Sequence, residues 1–336
     1  METPLDAAAL REALAALIAC PEAEIETRAE ACLAEDCRFH LSAPLELLEG
    51  RDAVIAGFIR PLRAALAGAY RRDEIFISGA NRRETGGDWL ASVTHYVGDF
   101  TGAFAGLAPS GHLAFLRAGE FYRVAQGRIT EARIILDLPD LMRQAGRFPL
   151  PRMLGTEMLF PGPATHDGVL PTAGDGAASL DVVERMLSDL HAFDPATFES
   201  ADQTGATGAW AEHMMWYGPG GIGSNYRWGG FVRDHRSAFL TAFPDRKGGN
   251  HYCRIGNGNY AAVSGWPSMT MTHQGDYLGV PASGKALTLR VMDFYRVAEG
   301  RIAENWVLLD YTELFAQMGV DLIARSNDMA PRDAAG

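Results

Sequence analysis

The sequence predicts an α+β fold built twice in tandem: two cone-shaped domains, each a curved antiparallel sheet wrapped on N-terminal helices. Three observations lead there: a long segment recurs, each copy places helices before strands, and a Pro/Gly-rich stretch separates the copies. Residues 121–146 (FYRVAQGRITEARIILDLPDLMRQAG) and 294–319 (FYRVAEGRIAENWVLLDYTELFAQMG) match at 14 of 26 positions without a gap, at an offset of 173. Ordinary residue frequencies would give about two matches. Solenoid repeats run to roughly 20–50 residues, so this spacing means a duplicated domain.

The elements follow in the same order in each copy. Helices are expected at about 7–34 and 52–66, then at about 180–200 and 228–242, where Leu180, Val183, Met186, Leu187 and Leu190 recur at helical spacing behind Ser179, a suitable N-cap. Strand-like stretches follow at 92–96, 115–124 and 129–136, and at 260–266, 286–297 and 302–309. Gln126-Gly127 and Glu299-Gly300 fall where a tight hairpin turn is needed, and Gly adopts positive φ cheaply. Helices followed by antiparallel strands make an α+β pattern, and a curved sheet on its helices leaves a pocket at the open end of each cone. The boundaries read 1–147 for the divergent first domain and 148–177 for a connector. A second domain at 178–326 is expected to hold the functional pocket, with a tail at 327–336. The connector's FPLPRMLG, FPGPATHDG and PTAGDG sustain neither a helix nor a central strand. Met153, Leu159 and Phe160 are its expected anchors.

Composition narrows the function. Of 336 residues, 47% are apolar and 21% charged, which suits globular cores. No run reaches the ~18 apolar residues of a membrane span, and the first residues lack a basic, then apolar, leader. Thirty basic against 42 acidic residues give a net charge of −12, a poor match to nucleic acid or an anionic membrane. Cys20, Cys32, Cys37 and Cys253 form no CxxC pair, so a reduced, cytoplasmic protein is expected. No GxSxG elbow or P-loop occurs, and the glycine run at 218–223 (GPGGIG) lacks GK[ST] and follows no recognisable βα unit, so it is not read as a phosphate or dinucleotide loop and no cofactor is expected. His40, His213 and His251 match no metal-ligand spacing, so no metal is expected either.

The stretch RVMDFYRVAEGRIAENWVLLD resembles the closing hairpin of the SnoaL-like polyketide cyclases, in the ketosteroid-isomerase and nuclear-transport-factor-2-like superfamily. Gly284-Lys285, residues 293–297 (DFYRV), 300–302 (GRI), 304–306 (ENW) and Asp310 carry the likeness. It covers most of the second copy and the C-terminal half of the first. The resemblance implies a deep apolar pocket in each cone and pairing through the sheet face. A tandem chain would reproduce that pairing as an internal pseudo-dimer, with a homodimer possible in addition. One position departs from the pattern: SnoaL-type cyclases carry their catalytic Asp three residues before the Asp310 position, where this chain has Val307, with Ile134 in the first copy.

Asp293 is the first catalytic candidate. It shares a strand face with Val291 and Tyr295, and a carboxyl there must be paired or hold its proton. The resemblance gives it the place of the neutral acid that donates to an oxyanion in ketosteroid isomerases; orienting its neighbours is the structural alternative. His273 is the acid–base candidate. Asp310 is either a base or the cap of the helix after it. First-copy equivalents are His95, Glu120 and Asp137. His213, Trp216, Tyr217, Trp228, Trp266, Tyr295 and Trp306 are expected to shape a pocket for a small organic ligand, five of the six Trp lying in the second copy.

Three functions remain open: a cofactor-independent acid–base enzyme acting on a small carbonyl or ester-type molecule by cyclisation, isomerisation or elimination; a non-catalytic carrier; and a water-adding hydrolase of the epoxide hydrolase type. The last needs an Asp-Arg-Asp set, yet Arg290 and Asp293, three apart on a strand, face opposite sides.

Overall fold

The computed structural model describes residues 6–329, apart from 158, 171, 191, 195, 201, 202 and 206. From residue 330 on, the expected tail lies outside the described residues. The first domain runs α1 (Ala7–Ala19), α2 (Ile25–Cys32), β1 (Leu33–Leu41), β2 (Leu47–Glu49), α3 (Arg51–Val54), a π-helical turn (Ile55–Ile59) and α4 (Arg60–Ala65). Then come β3 (Leu66–Ala80), β4 (Asp88–Phe100), β5 (Leu113–Ala125), β6 (Arg128–Leu136) and α5 (Leu138–Gln144). The second domain begins with α6 (Ala177–Leu190), β7 (Trp210–Tyr217), β8 (Asn225–Tyr226), α7 (Arg227–Phe231), a second π-helical turn (Val232–Arg236) and α8 (Ser237–Ala242). It continues through β9 (Cys253–Asn257), β10 (Tyr260–Thr272), β11 (Ala286–Ala298), β12 (Arg301–Leu309), α9 (Tyr311–Met318) and α10 (Leu322–Asn327).

Each domain holds one six-stranded sheet, ordered β2-β1-β6-β5-β4-β3 and β8-β7-β12-β11-β10-β9. The sheets are antiparallel except where β1 meets β6 and β7 meets β12 in parallel. The parallel strands escape the sequence reading: β1 follows α2 without a turn signal, its first two residues inside the expected helix at 7–34, and β7 falls between the helices expected at 180–200 and 228–242. That helix is two: Asp6 caps α1 by accepting from the Ala9 amide at 2.9 Å, and Pro21 follows its end. Both hairpin turns are as expected, with positive φ at Gln126 and Gly127 and again at Glu299 and Gly300. No helix among the described residues is long and apolar enough to cross a membrane.

The period of two along each central strand divides its side chains between two buried environments. On β11, Leu287, Leu289, Val291 and Tyr295 point toward the helices, while Met292 and Phe294 point the other way. Those outward residues join Trp306, Leu308, Tyr260 and Cys253, and from the first domain Ile75, Trp89, Phe121 and Ile135, in one apolar layer between the two sheets. Phe121 and Phe294 meet there with ring centroids 5.5 Å apart. The two halves also exchange matching hydrogen bonds: the Ala43 amide donates to Asp310 at 3.1 Å, and the Gly220 amide donates to Asp137 at 3.0 Å.

The connector is stitched to both domains. Phe160 is buried in the inter-sheet layer and Met153 is buried as well, but Leu159 is exposed and held by its carbonyl, which accepts from Ser224 at 2.5 Å. The Phe76 amide donates to the Gly168 carbonyl and the Leu170 amide donates to the Phe76 carbonyl, a parallel bridge between Phe76 and Val169 that covers part of the β3 edge.

Candidate active site

Between its sheet and its helices the second domain encloses a cavity of about 100 Å³, the size class that holds a single six-membered ring. The sheet wall is Leu289, Val291, Asp293 and Tyr295 of β11 with Asn305, Val307 and Leu309 of β12. The helical wall carries Phe231, His235 and Phe239, and Trp216 of β7 lies beside them.

Asp293 is the single carboxyl on these walls, among the described residues. The Tyr295 hydroxyl and the Asn305 amide lie within hydrogen-bonding reach of it and favour its ionised form, but burial dominates and pushes its pKa up to about 7. Its proton is therefore exchanged near neutrality. Tyr295 keeps its own proton, because burial and the adjacent Asp293 raise the phenol well above its usual range. Directly opposite Asp293 in the β11–β12 register stands Val307. The position at which SnoaL-type cyclases resemble this chain but carry a carboxylate is thus apolar here, and a carboxyl occupies the paired residue of the neighbouring strand. Paired residues of antiparallel strands have Cβ atoms roughly 5 Å apart.

His235 is the site residue that the sequence reading missed. Its ring stacks on Trp216 with centroids 4.6 Å apart, and its Nδ1 is buried without a hydrogen-bond partner among the described residues. Burial first, then Arg236 and Arg246, lower its pKa to about 3, so the imidazole is neutral. Its signal was its place between Phe231 and Phe239, four residues to either side on the helical stretch 227–242. The π-helical turn widens the helix at 232–236 and brings both His235 and Arg236 to the cavity, a use to which such turns are often put.

The other expected residues are dispersed. Trp216 and Tyr295 line the cavity with Asp293. Trp306 and Tyr217 instead lie in the inter-sheet layer with rings 5.2 Å apart, so the expectation that they shape the pocket is corrected. Trp306 alternates with Asn305 and Val307 and so faces away from them, its Nε1 donating to Pro161 at 2.7 Å. Trp266 leaves the pocket too, packing against that layer with Arg290 4.6 Å from its ring centre. Trp228 sits behind the wall, its ring tilted 46° against Phe231 with centroids 5.4 Å apart and its Nε1 donating to Glu199 at 2.5 Å. His213 is exposed, 2.8 Å from the Tyr226 hydroxyl. His273 is buried against Phe243 with its Nδ1 3.0 Å from Ser283, outside the cavity lining. Asp310 caps α9, accepting from the Glu313 amide, and pairs with Arg290 at 3.0 Å, on the opposite face from Asp293. Asp137 caps α5 in the same way.

The first domain has the same frame with its interior filled. Glu120 occupies the Asp293 position, paired in register with Ile134 as Asp293 is with Val307. Arg71 lies 2.6 Å from Glu120 and 2.7 Å from Asp73, and the Tyr96 hydroxyl donates to Glu120 at 2.5 Å. About 10 Å³ remains, room for no more than a water molecule. His95 lies outside this interior, on a groove beside Phe115 and Phe160, 3.5 Å from Glu74.

The sequence matches the family model described as SnoaL-like polyketide cyclase twice, over residues 11–145 and 196–318. Similar solved structures include IdmH from Streptomyces antibioticus, at 20% identity over 41% of this chain and 98% of its own, with a TM-score of 0.32. An NTF2-like protein from Burkholderia xenovorans is 11% identical over 43% of this chain and 98% of its own, with a TM-score of 0.34. TsrD from Streptomyces laurentii is 19% identical over 41% of this chain and 92% of its own, with a TM-score of 0.33. Among curated proteins none matches the chain. Matched once in each half and over most of its length, the chain belongs to the SnoaL-like polyketide cyclase family.

Proposed function

We propose that this chain is a cofactor-independent acid–base catalyst whose working site is the second cavity, and that Asp293 moves the proton. The observation that carries the reading is the exchange across the β11–β12 pair: an apolar Val307 where the cyclases it resembles have their base, and a cavity-facing Asp293 opposite. A carboxyl with a pKa near the working pH is well placed to take a proton and return it. The substrate class is a small, ring-sized carbonyl compound. As carboxylate, Asp293 would remove a proton from the carbon beside the carbonyl; the enolate would then either take that proton back from the Asp293 acid at another carbon, which completes an isomerisation, or add to a second carbonyl of the same molecule, whose alkoxide would take the proton as the ring closes. The protonated Tyr295 hydroxyl and the neutral His235 ring would donate hydrogen bonds to the oxyanion that forms. His273, remote from the cavity, has no part in this scheme. The first domain, its interior occupied by the Arg71–Glu120 pair, supports the inter-sheet layer.

Deuterium exchange into cyclohexanone in D2O, followed by proton NMR, tests the scheme. The protein is expected to accelerate exchange at the α-carbon, with a rate that rises as pH passes through about 7, and Asp293→Asn is expected to lose at least ~100-fold of that acceleration. An equal rate in Asp293→Asn overturns the assignment.

A further inference from the structure

Two arginines reach the second cavity from its helical side. Arg236 Nε donates to the Phe198 carbonyl at 2.5 Å, and its Nη2 to Ser200 Oγ at 2.5 Å and to the Leu190 carbonyl at 3.4 Å. Arg246 Nη2 donates to that same Leu190 carbonyl at 3.4 Å. The Phe193 ring lies beside both guanidinium groups, 5.6 and 5.8 Å from them. Both arginines line the cavity. Among the described residues neither has a carboxylate within ion-pair distance, and Glu199, which acts on Arg236 from farther away, accepts from Trp228 Nε1.

That arrangement is at odds with the rest of the molecule. Four other inward-lying arginines are matched to carboxylates: Arg71 with Glu120, Arg117 with Asp137, Arg290 with Asp310 and Arg296 with Glu304. The chain has a surplus of 12 acidic groups to supply such partners. Two like charges sharing one carbonyl repel each other, and burying a cation without a partner is unfavourable. Burial draws both guanidinium groups down to about 10, which still leaves them charged at neutral pH. Asp293 relieves neither, because it stands on the sheet wall with Tyr295 and Asn305. The cavity therefore has a cationic side, formed by Arg236 and the loop residue Arg246, and a proton-exchanging sheet wall.

We propose that Arg236 and Arg246 form a carboxylate subsite, so that the molecule taken into the second cavity is a small carbonyl compound that also bears a carboxylate. Planar guanidinium forks match a carboxylate bidentately. The anion would hold the ring with its opposite side toward Asp293. This inference rests on the reading that the second cavity is the binding site.

The test compares benzoate with benzamide, two ring-sized probes of nearly equal shape and different charge, by calorimetry and by quenching of Trp fluorescence. Benzoate is expected to bind the full-length protein at least ~10-fold more tightly than benzamide, the factor that hydrogen bonds to a charged group supply. Arg246→Gln is expected to abolish that preference by weakening benzoate, and Arg246→Lys to retain part of it. The Arg246 side chain makes one long hydrogen bond to the backbone and lies beside the Phe193 ring, so a circular dichroism spectrum and melting temperature matching wild type accompany the binding data for Arg246→Gln. Equal affinity for the two probes overturns the subsite and leaves the cavity standing as a binding site. Binding of neither overturns both. A benzoate preference that survives in Arg246→Gln places the anion elsewhere and overturns the assignment.

Discussion

Replacing Asp293 with Asn turns the raised pKa into a measurable pH dependence of stability. In the unfolded chain an aspartate ionises near 3.8; in the folded protein Asp293 does so at about 7, because burial penalises the charge more than Asn305 and Tyr295 relieve it. Between those values the folded state binds a proton that the unfolded state has released, so stability falls as pH rises. The slope is about 1.4 kcal/mol per pH unit and levels off above about 7. From about pH 5 to about pH 8.5 the wild-type protein should therefore lose about 2.7 kcal/mol through this one group. Asn has the same shape and no proton to lose. Urea unfolding of both proteins at the two pH values isolates the effect, because every other titration is common to them. The stability of Asp293→Asn relative to wild type is expected to improve by about 2–3 kcal/mol between the lower and the higher pH. A difference that is independent of pH, or that shifts in favour of wild type, refutes the reasoning.

Two further predictions concern the frame around the site. Glu120→Gln leaves Arg71 buried beside Asp73 alone; unfolding free energy should drop by about 3 kcal/mol, while α-proton exchange by the folded variant is unchanged. Trp306→Ala opens a hole in the layer between the sheets; it should lower stability by about 3–5 kcal/mol by chemical denaturation and leave the affinity of the second cavity for benzamide unchanged.

The duplicated frame was legible because a helix-then-hairpin order repeats with its turn residues in place, and the alternation along β11 correctly put Val291, Asp293 and Tyr295 on one face. The same alternation was not enough to place Trp306, Tyr217 and Trp266. A strand that is half exposed announces its inner face by being apolar there. Here both faces are buried, one by the cavity and its helices and the other by the opposing sheet, so apolar character does not tell lining from interface. Position relative to Asp293 through the strand register does tell them apart, since Trp306 pairs with Phe294 and Asn305 with Tyr295. His235 was overlooked although its four-residue spacing from Phe231 and Phe239 marks one helix face; the π-helical turn at 232–236, beside which the adjacent Arg236 also lines the cavity, has no pattern in the sequence. Arg246 lies in a loop and reaches the cavity beside the C-terminal end of α6, where it donates to the Leu190 carbonyl, a placement that sequence spacing does not reveal.

Carbon-13 NMR of protein labelled at the aspartate carboxyl carbons tests the central claim most directly, with Asp293→Asn identifying the resonance. The account predicts that this signal titrates at about 7, and that it shifts when a ring-sized ketone is added. A carboxyl that titrates at or below the ordinary aspartate value of 3.8 and ignores the ketone would contradict the account, because Asp293 would then be a fixed charge with no proton to move.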